Sequence, residues 1–372
     1  MKALLICAVS LSAFLFESDA LFAQGPLTPP GAPAPTMKTL SEVEPRIAIN
    51  ATTTPGDAAN LFIINQPGSY YLTSETIVAS GKNGIRLLTS NITVDLNGFR
   101  LVGSTGSLSG IVLPVSGQRN ITVKNGVVSS FGQLGIDLNL VRNCIIRDIQ
   151  VVDSGSSGIH LGDSGVVTAC IANGNAAHGF VGGQASIFSS CSARQNGGDG
   201  FNTASGSSIS GCSAALNTGR GLFASFSSTV SECSAYDNDG DGISVVSGAT
   251  VSRCSARANG EDGISASGAC SIRDNTCTAN GQITSGAGIH ITGGDTRVEG
   301  NTCSAQARGI DVGSAGNIII RNTCSGNNTN WTIAVGNSYG PIVAASTNAA
   351  PVSGNTAAST LTSTDPNANF TY

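Results

Sequence analysis

A repeat of 21 residues constrains this sequence more than any other feature. Cys170, Cys191, Cys212, Cys233 and Cys254 follow one another at intervals of 21 residues. Ala stands two residues after each cysteine, Asn five after, Gly nine after, and an apolar residue ten and again eighteen after. Each unit is too short to bury an apolar face by itself, so the repeat predicts units that stack on one another.

The repeated columns indicate three short strands per unit. The alternation of Cys and Ala with polar residues has the period of two that is typical of a strand. We interpret the Asn column as tight bends with left-handed backbone, and the Gly column as turns. The two columns are Asn175, Asn196, Asn217, Asn238 and Asn259, and Gly179, Gly200, Gly221, Gly242 and Gly263.

These features predict a parallel β-helix with coils about 4.8 Å apart. The register extends back to Ile149 and, at looser spacing, forward to Cys277, Cys303 and Cys324, which predicts eight cysteines in one column. The fold class is therefore all-β, a single-domain parallel β-helix solenoid of about 21 residues and three short strands per coil.

Composition excludes several classes of protein. Only 11% of the 372 residues are charged and the net charge is −5. No cluster of Lys and Arg occurs, so the chain lacks the electrostatic footprint of a nucleic-acid-binding protein. Past the first residues no apolar run is long enough to span a bilayer, so we expect no membrane span once a signal peptide is removed. We expect a monomer.

The ends of the chain differ from the repeat. Residues 1–23 have the basic start, apolar stretch and small residue before a cleavage point of a signal peptide. Residues 24–56 are read as a Pro-rich linker and N-terminal cap, 57–336 as the β-helix, and 337–372 as a C-terminal cap or tail. We therefore expect a secreted, periplasmic or cell-surface protein.

The chain resembles the right-handed parallel β-helix repeat proteins, the pectin-lyase-like superfamily, over residues 57–336. The segments QPGSYYLTSETIVASGKNGI and NITVDLNGFRLVG, with the Pro-rich leader, resemble a group of exported bacterial β-helix proteins. The resemblance implies a right-handed helix. It also implies relatives that act on acidic polysaccharides, but the Asn-Thr-Asp, Asp-Asp, Gly-His-Gly, Arg-Ile-Lys and Asp-Pro-His motifs of those enzymes are absent here.

The column eight residues after each cysteine holds the candidate catalytic residues. It reads His178, Asp199, Arg220, Asp241 and Asp262. We single out His178, Asp199 and Arg220, because His178 beside Asp199 is a His–Asp pair suited to acid–base chemistry. The alternative is a plain surface contact in a ladder of solvated turn residues that adds little stability.

Calcium is the one cofactor considered. Asp239, Asp241 and Asp262 are candidate Ca²⁺ ligands, because carboxylates gather there on adjacent coils. The run from Asn238 to Gly242 lacks the later Glu of an EF-hand, and solvated turn residues are the competing interpretation.

The remaining histidines and the cysteines leave alternatives open. His160 and His290 should point outward about 29 Å apart, too far to share a site. The ten cysteines from Cys144 onward form an unpaired interior ladder, some disulfides, or a metal-thiolate site. The ladder is favoured because stacked coils are farther apart than a disulfide prefers.

The sequence favours an exported, non-catalytic scaffold that binds a polysaccharide or a cell-surface component. A polysaccharide lyase or glycoside hydrolase that acts on acidic glycans is the alternative from the enzyme class. A structural or adhesion element is the third. Fold alone does not decide among them.

Overall fold

The computed structural model describes residues 44–344 and 363–372. Contact clustering separates residues 1–45 from a second unit, Arg46–Tyr372, and the account below concerns the second unit. The predicted signal peptide and most of the Pro-rich linker lie outside the described residues. Within the described ranges the regular structure is all β, and no helix there is long and apolar enough to cross a membrane.

Thirty-nine short strands make up the described chain. The first twenty are β1 (Ile47–Ala48), β2 (Asn60–Ile64), β3 (Gly68–Tyr71), β4 (Thr76–Val78), β5 (Asn83–Leu87), β6 (Ile92–Asp95), β7 (Arg100–Gly103), β8 (Ile111–Val112), β9 (Ile121–Ser129), β10 (Ile136–Leu138), β11 (Ile145–Val152), β12 (Ile159–Leu161), β13 (Val166–Thr168), β14 (Ile171–Asn173), β15 (Phe180–Gly182), β16 (Ile187–Ser189), β17 (Ser192–Arg194), β18 (Phe201–Thr203), β19 (Ser208–Ser210) and β20 (Ser213–Ala215). The remainder are β21 (Leu222–Ala224), β22 (Thr229–Ser231), β23 (Ser234–Tyr236), β24 (Ile243–Val245), β25 (Thr250–Ser252), β26 (Ser255–Arg257), β27 (Ile264–Ala266), β28 (Ser271–Arg273), β29 (Thr276–Thr278), β30 (Ala287–Ile291), β31 (Arg297–Glu299), β32 (Thr302–Ser304), β33 (Arg308–Val312), β34 (Ile318–Ile320), β35 (Thr323–Ser325), β36 (Thr329–Ile333), β37 (Ser338–Tyr339), β38 (Ile342–Ala344) and β39 (Asn369–Thr371).

The strands wind into a parallel solenoid of about 14 turns, which confirms the predicted fold class. One sheet of thirteen strands takes one strand from each coil: β2, β5, β8, β10, β12, β15, β18, β21, β24, β27, β30, β33 and β36. A larger sheet of 26 strands takes the other two. All pairings between these strands are parallel, and in the regular region each residue pairs with the one 21 positions later, as Phe180 does with Phe201.

The core is a set of vertical columns inside the coil. Phe180 and Phe201 stack with their ring centroids 4.8 Å apart, and Phe188 meets both edge-on. The Ala column at Ala172 and Ala193 is fully buried, because a small residue is all that fits where the coil narrows.

The Asn column is buried and does not have the predicted left-handed backbone. The positive φ angles belong to the preceding residues, such as Gln195 at 53° and Leu216 at 58°. The Asn217 amide donates to the Asn238 Oδ1 at 2.8 Å, and its own Oδ1 accepts from the Asn196 Nδ2 at 2.9 Å. The column is therefore a continuous buried amide ladder, since buried polar groups need partners.

The Gly column also has a different cause from the predicted turn. These glycines do not have left-handed φ angles; they lie where two coils approach closely. A Cβ on Gly221 would lie 2.5 Å from the Gly242 carbonyl oxygen and 2.8 Å from the Asn238 Nδ2. Glycine is required because both neighbours are part of the adjacent coil.

The prediction of eight cysteines in one column is wrong. Five cysteines, Cys170 to Cys254, do form a column, but Asn275 follows Cys254 in it and donates no thiol. Cys277, Cys303 and Cys324 instead continue the Ala column, since Ala256 pairs with Cys277 and Cys277 with Cys303. The spacing of 23 residues between Cys254 and Cys277 was the sign of this shift. All ten cysteines of the described ranges are unpaired and buried.

The close approach at the Gly column predicts the effect of a single methyl group. We expect Gly221→Ala to lower the free energy of unfolding by about 1–3 kcal/mol, because the coil must shift to relieve the contact with backbone. Gly313→Ala is the control, since the nearest atom to its added Cβ is the Ile291 oxygen at 3.6 Å. Denaturant titration measures both, and equal stability of the two variants would contradict the packing argument.

Candidate functional site

The outer surface of the thirteen-strand sheet carries the candidate site. Alternate side chains of each strand point away from the core, and the middle residues align in one row along the solenoid. We call this row the polar strip. It consists of Asp137, His160, Val181, Asn202, Phe223, Ser244, Ser265, His290, Asp311 and Thr332.

The column of His178, Asp199 and Arg220 lies beside the polar strip and forms a closed network. Asp199 is only 5% exposed, so it is not the solvated turn residue of the alternative interpretation. The Arg220 side chain donates to both carboxylate oxygens, at 3.2 and 3.0 Å, and the Asn202 amide donates to one of them at 2.7 Å. The predicted ion pair between adjacent coils is thus present, and it uses up the acceptor capacity of Asp199.

His178 does not donate to Asp199 through its Nδ1. That atom accepts a hydrogen bond from the Asp199 backbone N–H at 2.9 Å, and the carboxylate oxygen lies 3.6 Å away. Arg220 also lies over the Phe223 ring, 4.0 Å from its centroid. This arrangement holds the three groups rigidly and leaves Asp199 without a free oxygen to orient the imidazole.

A second His–Asp pair, which sequence reasoning did not assemble, lies farther along the strip. His290 Nδ1 and Asp262 Oδ2 are 2.8 Å apart, and the other Asp262 oxygen accepts the Ala287 N–H at 2.7 Å. On the next coil, Asp311 Oδ2 lies 3.9 Å from His290 Nε2. The hydrogen bond to Asp262 raises the pKa of His290, because the carboxylate stabilises the charged imidazolium.

Asp241 completes this group on the coil before Asp262. Its Oδ1 accepts the Asp262 backbone N–H at 3.1 Å. Burial, followed by the negative charge of Asp262, raises the pKa of Asp241 to about 6. We call Asp241, Asp262, His290 and Asp311 the acid–base cluster.

Arg308 links the acid–base cluster to a polar cleft. It forms an ion pair with Asp311 and donates to the Ser285 carbonyl oxygen at 3.0 Å. Ser285 lies in an insertion that lengthens this coil from 21 to 26 residues, as the pairing of Cys277 with Cys303 shows. Beside the insertion opens a cleft of about 510 Å³, which includes in its lining Gln282, Thr284, Gln306 and Asn328.

The candidate calcium ligands are only partly brought together. Asp241 and Asp262 are neighbours, whereas Asp239 is exposed on the turn. In the described ranges no three side chains of His, Cys, Asp or Glu are placed to share a metal ion. Asp262 is also 9% exposed and engaged by His290, so it is not a solvated turn residue.

The remaining candidate residues lie apart from the cluster. His160 and His290 are six coils apart on the strip, as predicted, and burial lowers the pKa of His160. Tyr70 is buried and its hydroxyl donates to the Gln66 carbonyl oxygen at 2.9 Å, while Arg46 lies over the Tyr71 ring. Trp331 packs against the core.

The raised pKa of Asp241 predicts a pH-dependent effect of removing its charge. Asp241 has a pKa of about 3.9 in an unfolded chain. Because folding raises it to about 6, the favourable contribution of the protonated form is lost as the pH rises through that value. We expect Asp241→Asn to be more stable than the wild type at neutral pH, by on the order of 2 kcal/mol, with the difference vanishing below a pH of about 4.

Denaturant unfolding at a series of pH values measures this difference. Asp239→Asn is the control for removing one negative charge from the same turn, because its side chain is exposed. A gain for Asp241→Asn that stayed constant from acid to neutral pH would contradict the assignment.

Comparisons with known proteins agree with the fold. A family model described as right handed beta helix region matches residues 180–302. No curated protein matches the chain. Among solved structures, the A-module of the mannuronan C-5 epimerase AlgE4 of Azotobacter vinelandii is 19% identical, with a TM-score of 0.52 over 78% of this chain and 86% of that one.

Two further solved structures are similar at lower scores. The Dettilon tailspike protein is 15% identical, with a TM-score of 0.48 over 71% of this chain and 58% of that one. The pectate lyase Pel9A is 17% identical, with a TM-score of 0.38 over 70% of this chain and 66% of that one. From the parallel coils, the family match and the AlgE4 likeness, the chain is a right-handed parallel β-helix of the pectin-lyase-like type.

Proposed function

We propose that this protein binds a polysaccharide along the polar strip, with the cleft beside Arg308 as its main contact. The observation that carries the proposal is the cleft itself, whose lining consists mainly of neutral amide and hydroxyl side chains next to the acid–base cluster. Such groups match the hydroxyls of a sugar, which donate and accept hydrogen bonds at fixed spacing. The volume of about 510 Å³ is in the usual range of ligand pockets.

The charge at this site favours a neutral sugar there. Three carboxylates, Asp241, Asp262 and Asp311, face only two basic groups, His290 and Arg308. A uronic acid would add a further negative charge beside them, which is unfavourable unless a proton or cation is present. The AlgE4 protein, by its name, acts on mannuronan, so the shared fold supports a polysaccharide partner but not its identity.

The solenoid suits a long, regular ligand. Its coils repeat about every 4.8 Å, so the same groups recur along the axis and can contact successive sugar units. The segment predicted as a signal peptide supports a role outside the cytoplasm, where such polymers occur. The non-catalytic scaffold is therefore the function that we favour.

Binding is tested by titrating the protein with neutral and acidic oligosaccharides of matched length. We expect Thr284→Ala combined with Asn328→Ala to weaken binding about tenfold, because each lost hydrogen bond contributes about 1 kcal/mol. Thr229→Ala with Ser234→Ala is the matched control, since both side chains are exposed on the larger sheet. Uniform absence of binding would end the proposal and leave the structural or adhesion element.

The acid–base cluster favours glycosidic-bond cleavage as a second candidate function. Asp241, with a pKa of about 6, can hold a proton for the leaving oxygen, and Asp262 is the carboxylate that His290 stabilises in its ionised form. A pair of carboxyl groups on adjacent coils with different environments is the arrangement that assigns an acid and a base.

Cleavage is tested by screening polysaccharides for new reducing ends and for unsaturated products. We expect Asp241→Asn to reduce turnover about 100-fold or more while binding persists, because the proton donor is lost and the cleft is intact. Activity should fall as the pH rises through about 6, where Asp241 loses its proton. Binding with no product from any polymer would exclude this second function and support the scaffold.

A further inference from the structure

We infer that Arg119 and Arg142 form a second binding site, for an oxyanion, in a cleft at the bend that follows the thirteen-strand sheet. The ligand class is a carboxylate, sulfate or phosphate group, and the surroundings favour a carboxylate carried by a sugar. The site is separate from the acid–base cluster: seven coils, about 34 Å along the axis, separate Asp137 from His290.

The fold places the two arginines directly above one another. Arg119 and Arg142 form an isolated parallel bridge between adjacent coils. The backbone N–H of Arg142 donates to the Gln118 carbonyl oxygen, and the Arg142 carbonyl oxygen accepts from the Asn120 N–H. Their Cα atoms are therefore held at about the inter-coil spacing of 4.8 Å.

Neither guanidinium has a partner among the described residues. Arg147, Arg220, Arg253, Arg297, Arg308 and Arg321 each form an ion pair with a carboxylate. Arg119 and Arg142 form none, and their side chains make no hydrogen bond within residues 44–344 and 363–372. Asp163 lines the same cleft, but it forms no ion pair with either arginine and accepts the Gln184 backbone N–H at 3.0 Å.

Two unpaired guanidinium groups in register attract an anion. Their like charges repel at this spacing, and a bound oxyanion would neutralise both while accepting hydrogen bonds from each. Arginine suits this role because its planar group matches the geometry of a carboxylate. An acidic sugar also explains why a chain with so few charges keeps two cations together.

The rest of the cleft has the features of a sugar site. It encloses about 410 Å³ and is lined in addition by Ser116, Gln118, Asn139 and Leu140. Gln118 accepts from the Ser90 hydroxyl through its Oε1, so its NH₂ group remains available as a donor. Leu140 is 45% exposed and offers an apolar surface to the C–H face of a sugar ring. The choice of a sugar acid rests on the proposed function, whereas the oxyanion site does not.

Isothermal titration of the full chain with sodium phosphate, sodium sulfate and a uronic-acid oligosaccharide tests the inference. A neutral oligosaccharide of the same length serves as the uncharged probe. The variant combines Arg119→Gln with Arg142→Gln. Arg194→Gln is the matched control, because Arg194 is exposed, has no ion pair and stands alone in its column between Asn173 and Ala215.

We expect the double variant to bind the anionic probes about tenfold more weakly or worse, and Arg194→Gln to bind as the wild type does. Raising the salt concentration should weaken the wild-type binding in the same direction. Tighter binding of the uronic-acid oligosaccharide than of phosphate supports a sugar acid, and the reverse order supports a free oxyanion.

Failure of this site and failure of the polysaccharide proposal are distinguishable. Loss of binding to all three anionic probes in the wild type, or equal binding by the double variant, would overturn the oxyanion site. Neutral sugar binding at the cleft beside Arg308 would be unaffected by either result. Circular dichroism on each variant checks that it is folded, and Arg142→Lys, which keeps the charge, should retain part of the affinity.

Discussion

The stacking of each coil on the next by backbone hydrogen bonds is the constraint on which the rest of the structure depends. Once coils repeat about every 4.8 Å, each side chain lies beside its own counterpart on the neighbouring coil. A column must therefore consist of residues that tolerate copies of themselves. Asn does so because its amide has both a donor and an acceptor, which gives the ladder from Asn175 to Asn280 with every member satisfied.

The same constraint explains the small residues. At Gly179 and Gly221 the adjacent coil approaches so closely that a Cβ would overlap its carbonyl oxygen. Ala and Cys fill the neighbouring columns, where a side chain larger than a methyl or thiol group would not fit inside the narrow coil. The abundance of glycine and the scarcity of charge are thus consequences of stacking rather than adaptations of the surface.

Chemistry appears where the repeat is interrupted. The regular coils from residue 170 to 263 present mostly satisfied groups, such as Asp199 held by Arg220 and Asn202. The 26-residue coil adds the insertion around Ser285, and with it the contact between Arg308 and the cleft. The Arg119–Arg142 cleft likewise lies in the irregular early coils. An exact repeat cannot build a concave site, because each coil only extends the surface of the last.

The sequence alone determined the parallel solenoid, the three strands per coil and the inward columns, because each follows from a period that is visible in the residues. It also located the column with Asp199, Asp241 and Asp262. The tertiary structure decided which groups meet. His290 is 28 residues after Asp262, outside the 21-residue period, and the inserted residues hid their contact.

Tertiary structure likewise decided the physical roles of the repeated residues. Burial turned the Asn column from expected bends into an amide ladder, and close inter-coil contact rather than φ required the glycines. A shift of two residues moved Cys277 out of the cysteine column, because the hydrogen-bond register follows coil geometry and not residue type. Periodicity specifies which residues are equivalent, whereas pairing across the coils specifies what each of them contacts.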